Sequence, residues 1–249
     1  MQFFSETTSD GVVERSFTLG DVPGVLWSPV SAEAGAPVIL MGHGGSLHKR
    51  APGLVSRAVG LVASCGFHAV AIDMPGHGER PRDAADRALV EAMHAARRAG
   101  ESIVPFVTEL NRSIAERAVP QWRAVMDALQ ASPEFGASTP FGYTGMTLAT
   151  AVGVPLAVAD ARIRAAVFGG FWGVPWLLAV AARVTIPLEF IQPWDDAELD
   201  RESGIALFDA LGSAQKLMRA HSGDHRHVPT WLADDSNRFL VRELRGAAG

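Results

Sequence analysis

The chain has 249 residues, 48% hydrophobic and 20% charged, which excludes a disordered polymer and suffices for one large α/β core or two smaller ones. Its net charge of −5 excludes a general nucleic-acid binder, which carries a basic excess or stripe. The one cysteine, Cys65, rules out an internal disulfide and a cysteine-built zinc site.

In chain order, the N-terminus MQFFSETTSDG has neither a basic start nor an apolar leader core. No run reaches the roughly 18 apolar residues of a membrane span. These features predict a cytoplasmic protein with no membrane partner. Residues 12–19 and 24–29 alternate apolar and polar side chains, the pattern of an antiparallel edge with one wet face. Residues 37–43, 68–74, 140–145, 165–171, 186–192 and 216–221 are nearly continuous apolar runs, as expected of parallel strands covered on both faces. Helical periodicity marks 52–64, 121–131, 147–158, 175–183, 201–211 and 236–245.

Strands alternating with helices specify an α/β fold with a mostly parallel sheet flanked by helices. Residues 79–119 break the rhythm. Asp83 caps a predicted helix that ends at Gly100, and a second is expected from Val104 to Ala118, stopping before Pro120. The expectation is a single domain over 1–249 with a helical insertion at about 79–119, a lid candidate; a surface elaboration is the alternative.

Sites in an open parallel sheet lie beyond the carboxyl ends of its strands. There the sequence places His43-Gly44-Gly45-Ser46, Asp73-Met74-Pro75-Gly76-His77-Gly78, Gly145-Met146-Thr147-Leu148-Ala149, Trp194-Asp195-Asp196 and Gly223-Asp224-His225. In that order these motifs resemble the α/β-hydrolase superfamily, and within it the dienelactone-hydrolase-like esterases, over roughly residues 20–245. The chain departs from the family's Gly-x-Ser-x-Gly turn at the nucleophile itself, where it has Thr147.

The resemblance implies a triad in which His225 takes the Thr147 proton and Asp196 orients the imidazole, with Asp195 the alternative acid. It implies an oxyanion hole built from the backbone N–H groups of Leu148 and Gly45. A threonine there is hindered and strained as a nucleophile, without being excluded from covalent chemistry. His48, Lys49 and Arg50 follow the oxyanion turn closely enough to meet an anionic substrate group, unless they form a solvated helix start. Phe171, Trp172, Trp176 and Trp194 are candidates for an apolar substrate pocket.

No nucleotide fingerprint occurs, and neither a cofactor nor a metal is expected. The expected function is hydrolysis of a small ester or lactone whose structure includes an apolar or aromatic portion. Two alternatives keep the same site. In one, a lyase or isomerase, His225 moves a proton and Thr147 positions the substrate; in the other, the fold binds a ligand without catalysis.

Overall fold

The computed structural model describes residues 1–246. Among them, strands β1 (Gln2–Ser9), β2 (Val12–Leu19), β3 (Val22–Pro29) and β4 (Val38–Met41) precede helix α1 (Pro52–Cys65) and strand β5 (His68–Ile72). Helices α2 (Ala84–Ala99) and α3 (Val104–Gln130) lead to β6 (Phe141–Thr144), α4 (Leu148–Ala159), β7 (Ile163–Gly169) and α5 (Pro175–Ala181). The chain continues through β8 (Leu188–Pro193), α6 (Arg201–Ala210), β9 (Lys216–His221) and α7 (Thr230–Arg245).

The strands form one sheet in the order β1-β2-β3-β5-β4-β6-β7-β8-β9. The pairs β1/β2, β2/β3 and β3/β5 are antiparallel, and every pair from β5 onward is parallel. Strand β4 lies between β5 and β6, so the chain steps from β4 to β5 on one side and then to β6 and outward to β9 on the other. At that reversal the loops leaving β4 and β6 open side by side, with Met41 level with Thr144. This is where a crevice forms in a sheet of this kind.

The continuous apolar runs have a direct structural cause. Val38 and Leu40 enter the core layer shared with α3, α4 and α5, while Ile39 and Met41 enter the opposite layer with α1 and α7. A strand with alternate residues in two dry layers has no polar face.

Four elements differ from the sequence expectation. Strand β3, expected to have one wet face, lies between β2 and β5 and is buried from Val22 to Ser28, and β9, expected to be covered on both faces, is a partly exposed edge strand. Helix α3 runs unbroken for 27 residues through Pro120, where two helices were expected. Its buried residues Ile114, Ala115, Ala118, Trp122, Val125, Met126 and Leu129 form one in-phase stripe. Burying that stripe is worth several times the roughly 3 kcal/mol that an interior proline costs. The segment 79–119 therefore ends inside a core helix rather than before it. Strand β1 was not anticipated. All eight of its residues are exposed, and it is held by the Asp10-Gly11 turn, with φ of 51° and 78°. Two left-handed residues in a two-residue loop are the conformation an Asp-Gly hairpin favours.

Candidate active site

Thr147 closes the turn between β6 and α4 with φ 57° and ψ −121°. A β-branched residue pays a strain of about 1–3 kcal/mol there, sustained only when its surroundings fix it. Several contacts do so. The Thr147 N–H donates to the Gly169 carbonyl at 3.1 Å. Thr150, fully buried, donates its hydroxyl to the same carbonyl at 2.7 Å and accepts the Gly169 N–H at 2.9 Å. The chain's single tyrosine, Tyr143, donates to the Ala149 carbonyl at 2.7 Å. The turn also needs small residues, because a Cβ on Gly145 would collide with Ala149. Neither Thr150 nor Tyr143 was singled out from sequence; a hydroxyl one turn beyond the elbow was the available signal.

The Thr147 hydroxyl faces the loop after β4, where a Cβ on Gly44 would stand 3.0 Å from it. The N–H groups of Gly45 and Leu148 make no hydrogen bond among the described residues. Leu148 is the first residue of α4, so its N–H sits at the positive end of the helix dipole. Two free donors beside one hydroxyl can stabilise an oxygen that develops negative charge.

His43 holds the loop. Its Nδ1 donates to the Gly44 carbonyl at 2.9 Å, and its Nε2 accepts the Met74 N–H at 3.1 Å. Both roles require the neutral ring with its proton on Nδ1. Burial pushes its pKa down to about 4, against the opposing pull of the Gly44 carbonyl. Burial likewise lowers His68 to about 4 and depresses His77.

His43 and His68 are neutral when folded and take up protons when unfolded near pH 6, so unfolding binds protons and stability falls as the pH falls through that window. Urea unfolding between pH 7 and pH 5 is expected to show a loss approaching about 2 kcal/mol per pH unit. A flat profile would contradict the buried neutral rings. Carboxylates with depressed pKa values lose their contribution only at lower pH.

The loop after β8 brings Asp196 to His225 in the loop after β9. The His225 ring donates from Nδ1 to Asp196 Oδ2 at 2.6 Å, and its backbone N–H donates to the same oxygen at 2.7 Å. The other oxygen accepts the N–H groups of Glu198 and Leu199 at 2.8 and 2.9 Å. Burial raises the Asp196 pKa, but these donors outweigh it and hold the carboxyl below the ordinary carboxylate range. With Nδ1 committed as donor, His225 Nε2 is left as the acceptor a general base requires. Asp195 instead accepts the Gly223 N–H at 3.3 Å and lies 3.8 Å from Arg201.

Gly170, at φ 52°, is where the segments meet, since a Cβ there would touch Met146, Leu199 and His225. The elbow, acid loop and histidine loop therefore converge on one point. Among the described residues, no hydrogen bond joins the Thr147 hydroxyl to the His225 ring.

The remaining sequence candidates divide. Trp172 and Trp194 line a cleft of about 790 Å³ together with Val104, Asp196, Glu198 and Glu202. Phe171 is only 2% exposed and belongs to the core, correcting its reading as a pocket wall. Trp176 packs against the same core and is absent from the cleft lining. His48 is exposed and accepts the Arg50 N–H at 3.2 Å. Lys49 is neither solvated nor turned toward a substrate; it is buried against Asp73.

Sheet order, strained elbow and acid–histidine pair together define an α/β-hydrolase fold. Comparison with solved structures agrees. The chain is similar to a novel cold-adapted esterase from an Arctic intertidal metagenomic library, in a complex with PEG, at 31% identity and a TM-score of 0.78, covering 98% of this chain and 100% of that one. It therefore belongs to the α/β-hydrolase-type esterase family that includes that enzyme. An acetyl xylan esterase from Paenibacillus sp. R4 matches at 16% identity and TM-score 0.67, covering 98% of this chain and 88% of that one. The dienelactone hydrolase from Anabaena variabilis matches at 18% and 0.65, covering 98% and 100%. These two likenesses are of fold alone. No family model and no curated protein matches the chain.

Proposed function

We infer that the protein hydrolyses small carboxylic esters or lactones, with Thr147 as nucleophile, His225 as base, Asp196 as its orienting acid, and the N–H groups of Gly45 and Leu148 as oxyanion donors. The supporting observation is the half-buried Asp196–His225 pair, which leaves Nε2 as an acceptor in the loop that meets the strained elbow at Gly170. In the first step His225 takes the Thr147 proton as Oγ1 attacks the carbonyl carbon. Collapse of the tetrahedral oxyanion returns that proton to the leaving alcohol. Water, activated by the same imidazole, then releases the acid and restores Thr147. An aryl phosphonate ester tests this directly: mass spectrometry of the intact protein and its peptides is expected to find one adduct, on Thr147. Labelling elsewhere, or none alongside rapid ester turnover, would remove Thr147 as nucleophile.

The unbonded Thr147 hydroxyl favours a second reading. In it Thr147 orients the substrate while His225 transfers a proton to or from carbon. This reading predicts turnover without a phosphonate adduct.

The substrate enters the cleft between the acid loop and the start of α3. Val104 lines that cleft, and Arg97 at the end of α2 lies 3.7 Å from Glu198 in the acid loop, so the α2–α3 corner serves as its roof. Trp172 and Trp194 offer apolar surface to an aromatic or alkyl portion. The charged lining is mostly acidic. Its arginine, Arg201, is committed to the Trp194 ring, 4.3 Å from the centroid, and to the Trp194 carbonyl at 3.0 Å. Neutral esters are therefore expected to exceed isosteric esters with a carboxylate on the leaving group by about 10-fold in kcat/KM at low salt, the gap narrowing as salt is added. A preference for the carboxylate would contradict this reading. One cysteine and no disulfide fit a cytoplasmic setting.

A further inference from the structure

Lys49 follows the oxyanion turn by four residues, yet it is 4% exposed. An ammonium leaves water only where other charged groups replace its hydration. Two carboxylates do so: Nζ lies 2.7 Å from Asp73 Oδ2, and it also bonds Glu79. The Lys49 backbone N–H donates to the other Asp73 oxygen at 2.8 Å. Asp73 is fully buried at the end of β5, and the turn behind it wraps the carboxylate. Glu79 N–H donates to it at 2.9 Å, and at Gly78, with φ 58°, a Cβ would overlap the Asp73 carboxyl. Burial raises the Asp73 pKa, but the Glu79 and Lys49 donors outweigh it and leave the carboxyl below its ordinary range.

The oxyanion loop is therefore tied at two places to the same turn after β5. The His43 ring ties its start, and Lys49 ties its end. Gly45, Ser46, Leu47 and His48 between them are exposed, and Ser46 stands in left-handed backbone at φ 63°. A loop with no ladder of its own keeps its donors in place only through such anchors.

We propose that the buried Lys49–Asp73 ion pair is a positioning device for the reaction, holding the Gly45 N–H where the oxyanion forms beside Thr147. The proposal rests on the reading of Gly45 as an oxyanion donor. Donor placement matters more to the transition state than to the bound ester, because charge on the carbonyl oxygen develops only during attack. Loosening the anchor therefore lowers kcat and leaves KM nearly unchanged.

The test compares the double variant Lys49→Met/Asp73→Asn, which leaves no lone buried charge, with Lys49→Arg and Thr147→Ala on p-nitrophenyl acetate. The double variant is expected to lose about 10- to 100-fold in kcat at constant KM, short of the loss from deleting an oxyanion donor outright. Lys49→Arg, which keeps the charge and the donors, is expected to recover most of it. Wild-type kcat in the double variant overturns the proposal. So does a parallel change in kcat, KM and melting temperature that arginine does not rescue, the signature of general loosening.

Should the double variant not fold, Lys49→Gln decides, because it breaks the ion pair while the backbone N–H groups of residues 49 and 79 still donate to the Asp73 carboxylate. A lowered kcat at constant KM supports the anchor, and a wild-type value overturns it. Thr147→Ala separates the two levels: if it stays active, Thr147 fails as the nucleophile; if it is dead while the anchor variants are normal, only the anchor fails.

Discussion

Thr147→Ala is expected to lower kcat/KM for an ester by about 10³-fold or more, leaving only what the oxyanion donors and substrate binding supply. The size follows from the role. Removing the hydroxyl abolishes the covalent route, whereas removing a positioning group costs far less. Thr147→Ser is the informative partner. Serine keeps the hydroxyl, discards the methyl group, and adopts φ 57° with less strain. A rise in kcat of up to about 10-fold is expected, within the range that relief of a strained backbone allows. Initial rates on one short-chain ester, with active-site titration, measure both. Activity above a tenth of wild type in Thr147→Ala would sink the nucleophile assignment. A moderate loss there, beside a dead His225→Ala, would instead leave His225 as the essential group and Thr147 as a residue that positions the substrate.

Asp196→Asn should reduce kcat by about 10³- to 10⁴-fold with little change in KM. The asparagine can still accept the backbone N–H groups that Asp196 accepts from Glu198 and Leu199. It loses the ionised oxygen that fixes the proton on His225 Nδ1, and an amide N–H facing that nitrogen favours the opposite tautomer. Nε2 then carries a proton and no longer accepts one from Thr147. The loss should persist across the neutral range, because the donors around Asp196 hold it ionised well below that range. Asp195→Asn, by contrast, is expected to cost less than about 10-fold, as for an exposed charge at the cleft edge. The reverse ranking would exchange the two acids.

The sequence was informative wherever a local rule governs. Apolar runs marked the strands of the central sheet because both faces of that sheet are dry. Asp83 and Gly100 marked the ends of α2 because a capping side chain and a left-handed C-cap are nearest-neighbour chemistry. The order of the turn motifs placed Thr147, Asp196 and His225 at strand ends before any geometry was known. Local rules failed at Pro120, where burial of a stripe outweighs an intrinsic preference, and at β1, whose Asp-Gly turn was legible and whose exposed strand has no burial pattern. They also failed at Phe171, because an aromatic residue after a strand reads the same whether it faces the core or a cleft.

The sequence by itself determined the α/β class, the succession of strands after β1 and the turn in which a threonine stands for serine. Only the tertiary structure decided which of two adjacent aspartates meets His225, that Lys49 is an internal anchor rather than a surface charge, and that Gly170 is the point where three loops meet. Those outcomes depend on distances between segments as far apart in the chain as 49 and 73, or 196 and 225. Such distances are set by the order in which strands pair across the sheet, which no local pattern encodes.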